Sequence, residues 1–343
     1  MREWTVNRGD KEQRFNKYLQ RKLPDAPSSF LYKMLRKKNI TLNGKKASGS
    51  ELLQEGDLVT LFLSDETIGK FGGTAVAACS SEGAEQDLPG TGEYMRAFRQ
   101  LRGRIGEEGI LYEDDHLLAV RKPAGILSQK ASDADISMNE WLVGYLLDQG
   151  DVTAQSLKAF KPSVCNRLDR NTGGILLCSK SLTGARKTGE LLRNRTLRKF
   201  YRAVVLGNVE KAGKIEGYLS KDPVTNTVNF EKTGKEGGAW TKTTYRPLIC
   251  GGRCSLLEME LITGKTHQLR SHLAAMGHPI LGDPKYGDPD ANEKARSEYG
   301  LRGQMLWCCR IEFPRMEGDL AELSEKVILC DPPQIYREIA QRK

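Results

Sequence analysis

No stretch of this chain approaches the roughly 18 consecutive apolar residues that a membrane-spanning helix requires. The opening Met1-Arg2-Glu3-Trp4 is too polar to begin a signal peptide. The eight cysteines include no C-x-x-C pair. Cys308 and Cys309 are adjacent, too close for an ordinary disulfide framework, so reduced, buried thiols of a cytosolic protein are expected. Histidine is scarce, with four in the chain. His267 and His272 are five residues apart, about 140° around a helix, and do not share a face as H-E-x-x-H ligands do. Together with His278 they find no Cys or acid to complete a zinc-like set, and core or capping roles are expected. Gly264-Lys265-Thr266 invites a phosphate loop, yet Met259 stands where G-x-x-x-x-G-K-T needs its first glycine. No G-x-S-x-G elbow is present. Membrane, disulfide-scaffold, zinc, P-loop and serine-hydrolase classes are set aside on these grounds.

What is abundant is positive charge. The 343 residues, enough for two domains, carry a net charge of +9, unevenly spread. Residues 1–64 hold 13 Lys/Arg against 7 Asp/Glu, residues 65–92 hold one Lys against five acids, and the remainder is +7. Two basic regions separated by an acidic connector suit a polyanion partner. A solvated, colloidally stable surface would show the same balance, so charge alone does not decide.

Residues 12–64 form a compact module. Phe15, Leu19 and Leu23 recur at helical spacing, and Pro24-Asp25-Ala26-Pro27-Ser28-Ser29 breaks the chain and supplies an N-cap. A second helix follows, with Phe30, Leu31, Met34 and Leu35 on one side. Ile40-Thr41-Leu42 leads into Asn43-Gly44, a strong hairpin signal, and Gly56-Asp57 precedes the strand-like Leu58-Val59-Thr60-Leu61-Phe62-Leu63. This succession resembles the S4 RNA-binding module, with Phe15-Asn16-Lys17 where that family usually has Leu-Asp-Lys. The resemblance implies RNA contacts from Arg14, Lys17, Lys33, Arg36, Lys37 and Lys38, which chemically are sequence-blind phosphate contacts. Taken singly, the same residues describe an ordinary charged helix face. Residues 65–92, rich in Gly, Ala, Ser and Glu, bury too little to offset the entropy of ordering and are expected to be a flexible acidic linker. Arg96, Arg99, Arg102 and Arg104 follow, in a short basic helix or arm.

Residues 93–343 are dominated by strand-like stretches at 117–120, 175–178, 201–206, 243–249 and 255–262, with helical patterns at 182–195 and 266–276. No βαβ alternation and no repeat is present, which predicts an α+β fold with a mainly antiparallel sheet. One segment is denser in chemistry than the rest: Cys165-Asn166-Arg167-Leu168-Asp169-Arg170-Asn171-Thr172-Gly173-Gly174, running into the apolar Ile175-Leu176-Leu177-Cys178. Turn-formers before an apolar run describe a loop feeding a buried strand. A carboxylate there is presented by a rigid scaffold, and flanking guanidiniums would keep it ionised. Such an acid can act as nucleophile or base, although a lone Arg-x-Asp-Arg cluster is more often a surface ion-pair network. Tyr201 could stack a pyrimidine ring, and Arg270 could pair with Asp169 in a partly dry pocket. Alone, Tyr201 reads as a core aromatic and Arg270 as a surface helix residue.

The order of four motifs shifts that balance. Asp114-Asp115-His116-Leu117-Leu118-Ala119-Val120-Arg121-Lys122-Pro123-Ala124-Gly125 comes first, then the Asp169 segment and Lys199-Phe200-Tyr201-Arg202-Ala203-Val204-Val205-Leu206-Gly207. Thr263-Gly264-Lys265-Thr266-His267-Gln268-Leu269-Arg270-Ser271-His272-Leu273-Ala274, Gly277-His278-Pro279-Ile280-Leu281-Gly282-Asp283 and Tyr286-Gly287 complete the set. Over residues 107–330 the chain resembles the RluA family of RNA pseudouridine synthases. The resemblance implies a mixed, mainly antiparallel sheet with the active-site cleft at its centre. It implies a catalytic Asp169, a pocket Tyr201, a bridging Arg270, Leu269 in the substrate pocket, and Arg167 filling the space of an everted base. The expected reaction is isomerisation of uridine to pseudouridine without cofactor or metal, in a monomeric cytoplasmic protein acting on structured RNA. Ribosomal RNA or a ribosomal precursor particle is favoured over transfer RNA as the target. Two departures stand out: Asn166 where the family usually has His, and Gly173 where it usually has Ser. A non-catalytic RNA-binding or ribosome-assembly factor on the same fold is the rival, although an acid facing phosphates would weaken a pure binder.

Overall fold

The computed structural model describes residues 2–6, 13–23, 26–64, 67, 90–221, 227–234 and 238–342. Strand β1 (Arg2–Thr5) opens a small unit that continues through α1 (Phe15–Lys22), α2 (Ser28–Arg36), β2 (Ile40–Leu42), β3 (Lys45–Lys46) and β4 (Leu58–Leu61). Its sheet order is β1-β4-β2-β3. Asn43 and Gly44 both have positive φ, the backbone a two-residue hairpin turn demands. Asn43 also ties the turn to β4, accepting from Leu58 N at 2.7 Å and donating to Asp57 at 2.8 Å. Phe15, Tyr18, Leu19, Leu35, Leu53 and Leu61 are fully buried in a core separate from that of the larger unit. This sheet begins ahead of the expected 12–64 range: Trp4 pairs with Val59 and packs edge-on against Tyr18. A strand reading Arg-Glu-Trp-Thr carries no apolar run to announce it. The linker expected at 65–92 lies outside the described residues except for Thr67 and 90–92.

The larger unit runs α3 (Gly92–Ile105), β5 (Ile110–Glu113), β6 (Leu117–Lys122), α4 (Met138–Asp148), α5 (Ala154–Ala159), β7 (Ser163–Val164), β8 (Gly173–Ser179), α6 (Leu182–Asn194) and β9 (Arg198–Leu206). It continues with β10 (Gly213–Lys221), β11 (Val228–Glu231), β12 (Ala239–Cys250), β13 (Cys254–Leu261), α7 (Gln268–Ala275), α8 (Pro289–Tyr299), β14 (Leu306–Glu312), β15 (Val327–Leu329) and α9 (Ile335–Gln341). One sheet orders these strands β11-β10-β12-β13-β9-β14-β8-β6-β5, with β15 on β14 and β7 on β8. Among the described residues β14 and β8 are the one parallel pair of named strands, so the sheet is mixed and mainly antiparallel. The fold is α+β, as the strand-rich pattern predicts.

Two features of this sheet position the site. Strand β8 is buried along its whole length, as its unbroken apolar run requires, so the loop before it emerges from the rigid middle of the molecule. Strand β14 separates β8 from β9 and sets the gap between their side chains: Cys308 faces Tyr201 on one side and Gly174 on the other. At the first two positions of β8 a side chain would collide with that neighbour. A Cβ on Gly174 would fall 2.1 Å from the Cys308 carbonyl oxygen, and one on Gly173 2.3 Å from the Trp307 ring.

Candidate active site

Asp169 stands in the loop between β7 and β8 with its side chain 29% exposed. The loop is held from several directions. Ser128 Oγ donates to the Leu168 carbonyl at 2.8 Å and accepts from Leu168 N at 3.0 Å. Thr172 N closes back onto the Asp169 carbonyl at 3.0 Å. The Arg170 carbonyl accepts from Gly125 N and from the buried Lys122 ammonium, at 2.8 and 3.1 Å. Burial pushes Lys122 down to about 7, with the charge of Asp169 working the other way. Asn166 is buried and spans to β8, accepting from Leu177 N at 2.7 Å and donating to the Ile175 carbonyl at 3.4 Å. An amide does both at once without ever carrying charge, so Asn166 is a fastening of the loop.

The partner of Asp169 comes from the other half of the sheet. Arg270, on α7, donates from Nη1 to Asp169 Oδ2 at 3.0 Å. Its Nε and Nη2 make a two-pronged contact with Asp283 at 2.7 and 2.8 Å. Arg270 is 5% exposed and Asp283 fully buried. Burial acts against the charge of Arg270, but the hydrogen bonds and charge of Asp283, then Asp169, hold it above the ordinary arginine value. Burial acts against Asp283 as well, and Arg270 with the N–H groups of Lys285 and Tyr286 brings it below the ordinary carboxylate value. The guanidinium thus has a fixed plane, imposed by Asp283, and offers its remaining edge to Asp169. Arg270 is not the surface residue that its isolated position in a helix would suggest.

Neither flanking arginine is hydrogen-bonded or ion-paired to Asp169 among the described residues. Arg170 turns to Asp135 at 3.8 Å, and Arg167 is exposed at the cleft rim. The charge beside Asp169 is the one 101 residues away in sequence. A cleft of about 60 Å³ brings together Arg167, Asp169, Tyr201, Leu269 and Arg270 with Lys265 and His267. Tyr201 is buried, and its hydroxyl is raised well above the ordinary tyrosine value, mainly by burial and then by the Cys308 thiol beside it. His267, in the left-handed region at φ 52°, sits with Nε2 3.9 Å from Asp169 Oδ2 and Nδ1 3.0 Å from the Tyr286 hydroxyl. Burial lowers its affinity for a proton. His267 belongs to the cleft, whereas His272 is a core residue between Thr241 and Thr243, and His278 bonds the Leu206 carbonyl.

Sequence reasoning passed over Lys122, Ser128, His267, Asp283 and Tyr286. Lys122, His267, Asp283 and Tyr286 lie in the four ordered motifs, and an acid after Gly282 is a usable signal; nothing local marks Ser128. Arg14, Lys17, Lys33, Arg36, Lys37 and Lys38 are exposed on or beside α1 and α2 of the small unit, not in this cleft. Among the described residues no cluster of His, Cys, Asp and Glu is arranged to hold a metal.

The sequence model of the RNA pseudouridylate synthase family matches residues 116–275, a span that holds Asp169, Tyr201 and Arg270. Ribosomal large subunit pseudouridine synthase C of Rickettsia typhi is 30% identical over 283 residues, 81% of this chain and 83% of the relative. The protein of that name from Vibrio parahaemolyticus is 28% identical over 314 residues, 90% of this chain and 86% of the relative. The fold is shared with human RNA Pseudouridylate Synthase Domain Containing 4 at a TM-score of 0.56 and 22% identity, covering 71% of this chain and 95% of that one. The chain belongs to the RNA pseudouridylate synthase family, enzymes whose substrate is RNA.

Proposed function

We propose that this chain converts specific uridines of large-subunit ribosomal RNA to pseudouridine, with Asp169 as the catalytic carboxylate. The observation that carries the reading is the asymmetry of that carboxylate. Arg270 and His267 both approach Oδ2, and Oδ1 takes no hydrogen bond from the described residues. One oxygen is anchored and the other is left to meet a substrate at a partly exposed rim.

The reaction breaks the bond between N1 and C1′, turns the uracil, joins C5 to C1′, releases the C5 proton and protonates N1. It is redox-neutral. Stacked RNA hides these atoms, so the nucleotide must be everted into the cleft, where Tyr201 offers a ring face, Leu269 an apolar wall and Arg167 a cation at the entrance. The small unit, read as an S4-like RNA grip, supplies sequence-blind phosphate contacts from the six basic residues on or beside α1 and α2. The relatives named for the large ribosomal subunit favour ribosomal RNA over transfer RNA. A cytoplasmic monomer of two RNA-binding units joined by a linker fits the reading, and no described helix is long and apolar enough to cross a membrane.

Asp169→Asn is expected to abolish tritium release from 5-tritiated uridine RNA while RNA affinity stays within about twofold, since the variant loses no phosphate contact. Wild-type release by the variant would refute the assignment. Carbodiimide mapping of ribosomal RNA with and without the gene tests the substrate. A vanished pseudouridine supports the enzyme; an unchanged map with defective subunits would favour a binding factor.

A further inference from the structure

The loop that carries Asp169 has a second cleft behind it. This cleft, of about 450 Å³, lies within the roughly 300–1,000 Å³ range of small-molecule sites. Arg104, Asn171, Tyr299, Arg302, Gln304 and Trp307 line it, and no acid does. A basic concavity without a carboxylate is unusual for a surface kept soluble by mixed charge, because interspersed signs are the ordinary solution.

The two clefts share a wall. Gln304 Nε2 donates to Thr172 Oγ1 at 3.0 Å, and Thr172 lines the Asp169 cleft. Gly303 lies close against Asn171, where an added Cβ would sit 3.1 Å away. Asp169 and Asn171 are two residues apart, at most about 7 Å along the chain. Arg104 is fixed at the edge by donating to the Ala124 carbonyl at 3.0 Å, which leaves most of its five N–H donors available. Gly125, next to that carbonyl, bonds the Arg170 carbonyl.

Charge continues outward along α3. Ala97, Phe98, Leu101 and Ile105 are its buried residues, and Gly144 of α4 lets the two helices touch, since a Cβ there would fall 2.2 Å from the Tyr94 carbonyl oxygen. This packing turns Arg96, Arg99 and Arg102 to the surface. Glu93, the one acid of α3, is occupied by Lys130 at 2.7 Å.

We infer that the cleft between Arg104 and Arg302 takes a nucleotide flanking the target uridine, phosphate to the guanidiniums and base to Tyr299, and that α3 guides the RNA strand into it. The inference rests on the proposed function, and its ligand class is an RNA phosphodiester with one base. It accounts for the absence of acids from the cleft and for its adjacency to the loop that would hold the everted uridine. Phosphate contacts release counterions, so each one lost flattens the salt dependence of binding.

The test uses the full chain and in vitro transcribed large-subunit ribosomal RNA, with affinity measured across a series of KCl concentrations and tritium release scored in parallel. Arg104→Ala/Arg302→Ala is expected to weaken binding on the order of 10-fold and to reduce the slope of log K against log salt by about 1 to 2. Arg302→Ala alone, which removes no hydrogen bond or ion pair within the described protein, is expected to reduce the slope by about 1. Lys187→Ala is the charge control, because α6 abuts His116 at the other end of β6 from Lys122. An unchanged slope in both arginine variants, or an equal loss in Lys187→Ala, overturns the inference. Absence of tritium release from the wild type overturns the proposed function instead, so the two failures are separable.

Discussion

Asp283 is the residue that makes Arg270 useful. The Arg270–Asp283 pair is buried, and removing one partner of a buried pair leaves charge uncompensated, at about 3–5 kcal/mol. Asp283→Asn keeps the shape but replaces one acceptor with a donor facing Arg270 Nε or Nη2. The guanidinium plane then tilts and carries Asp169 with it. We expect kcat to fall on the order of 100-fold, the cost of a misplacement of about 1 Å, with RNA affinity unchanged. Single-turnover pseudouridine formation at saturating RNA measures this, and a full rate would show that Asp283 serves folding alone. The sequence pointed to Asp169, Tyr201 and Arg270 as one site, with Arg270 pairing with Asp169, although each sits in its own motif. It concealed the direction of each side chain: Arg170 adjoins Asp169 in the chain and points away to Asp135.

At the scale of elements, apolar runs revealed β6, β8, β9, β12 and β13, and the Asn43-Gly44 turn revealed the small hairpin, because those signals are local. The neighbours of each strand were not legible, since pairing depends on contacts far along the chain. The pairing of β14 with β8 explains one departure from the family pattern. With Trp307 beside Gly173, a serine there has no room. Gly173→Ser is expected to destabilise the fold by about 1–3 kcal/mol through overpacking. In a Trp307→Leu background the same substitution should cost less. A double-mutant cycle from urea unfolding measures the coupling; independent, additive effects would contradict the clash. Helix α4, with its apolar residues spread around the axis, offered no clean helical stripe, which is why residues 138–148 escaped the sequence reading.

Across the whole molecule, stability is tied to a buried neutral ring. His272 is unexposed between two threonine hydroxyls and is pushed down to about 4 by burial. Its folded value is below the ordinary 6.5, so the unfolded chain binds the proton first. The stabilisation is full above pH 6.5 and is lost as pH falls toward 4, on the order of 3 kcal/mol. Urea titrations between pH 7 and 4 should show this slope, and His272→Gln should flatten it; superimposable slopes would exclude His272 as the source. The place of β14 between β8 and β9 also orders events in time. Translation delivers Asp169 and Tyr201 long before residues 306–312 leave the ribosome, yet only that late strand spaces the two apart. A nascent polypeptide therefore holds the two sides of the cleft without the strand that sets their spacing until synthesis is nearly done.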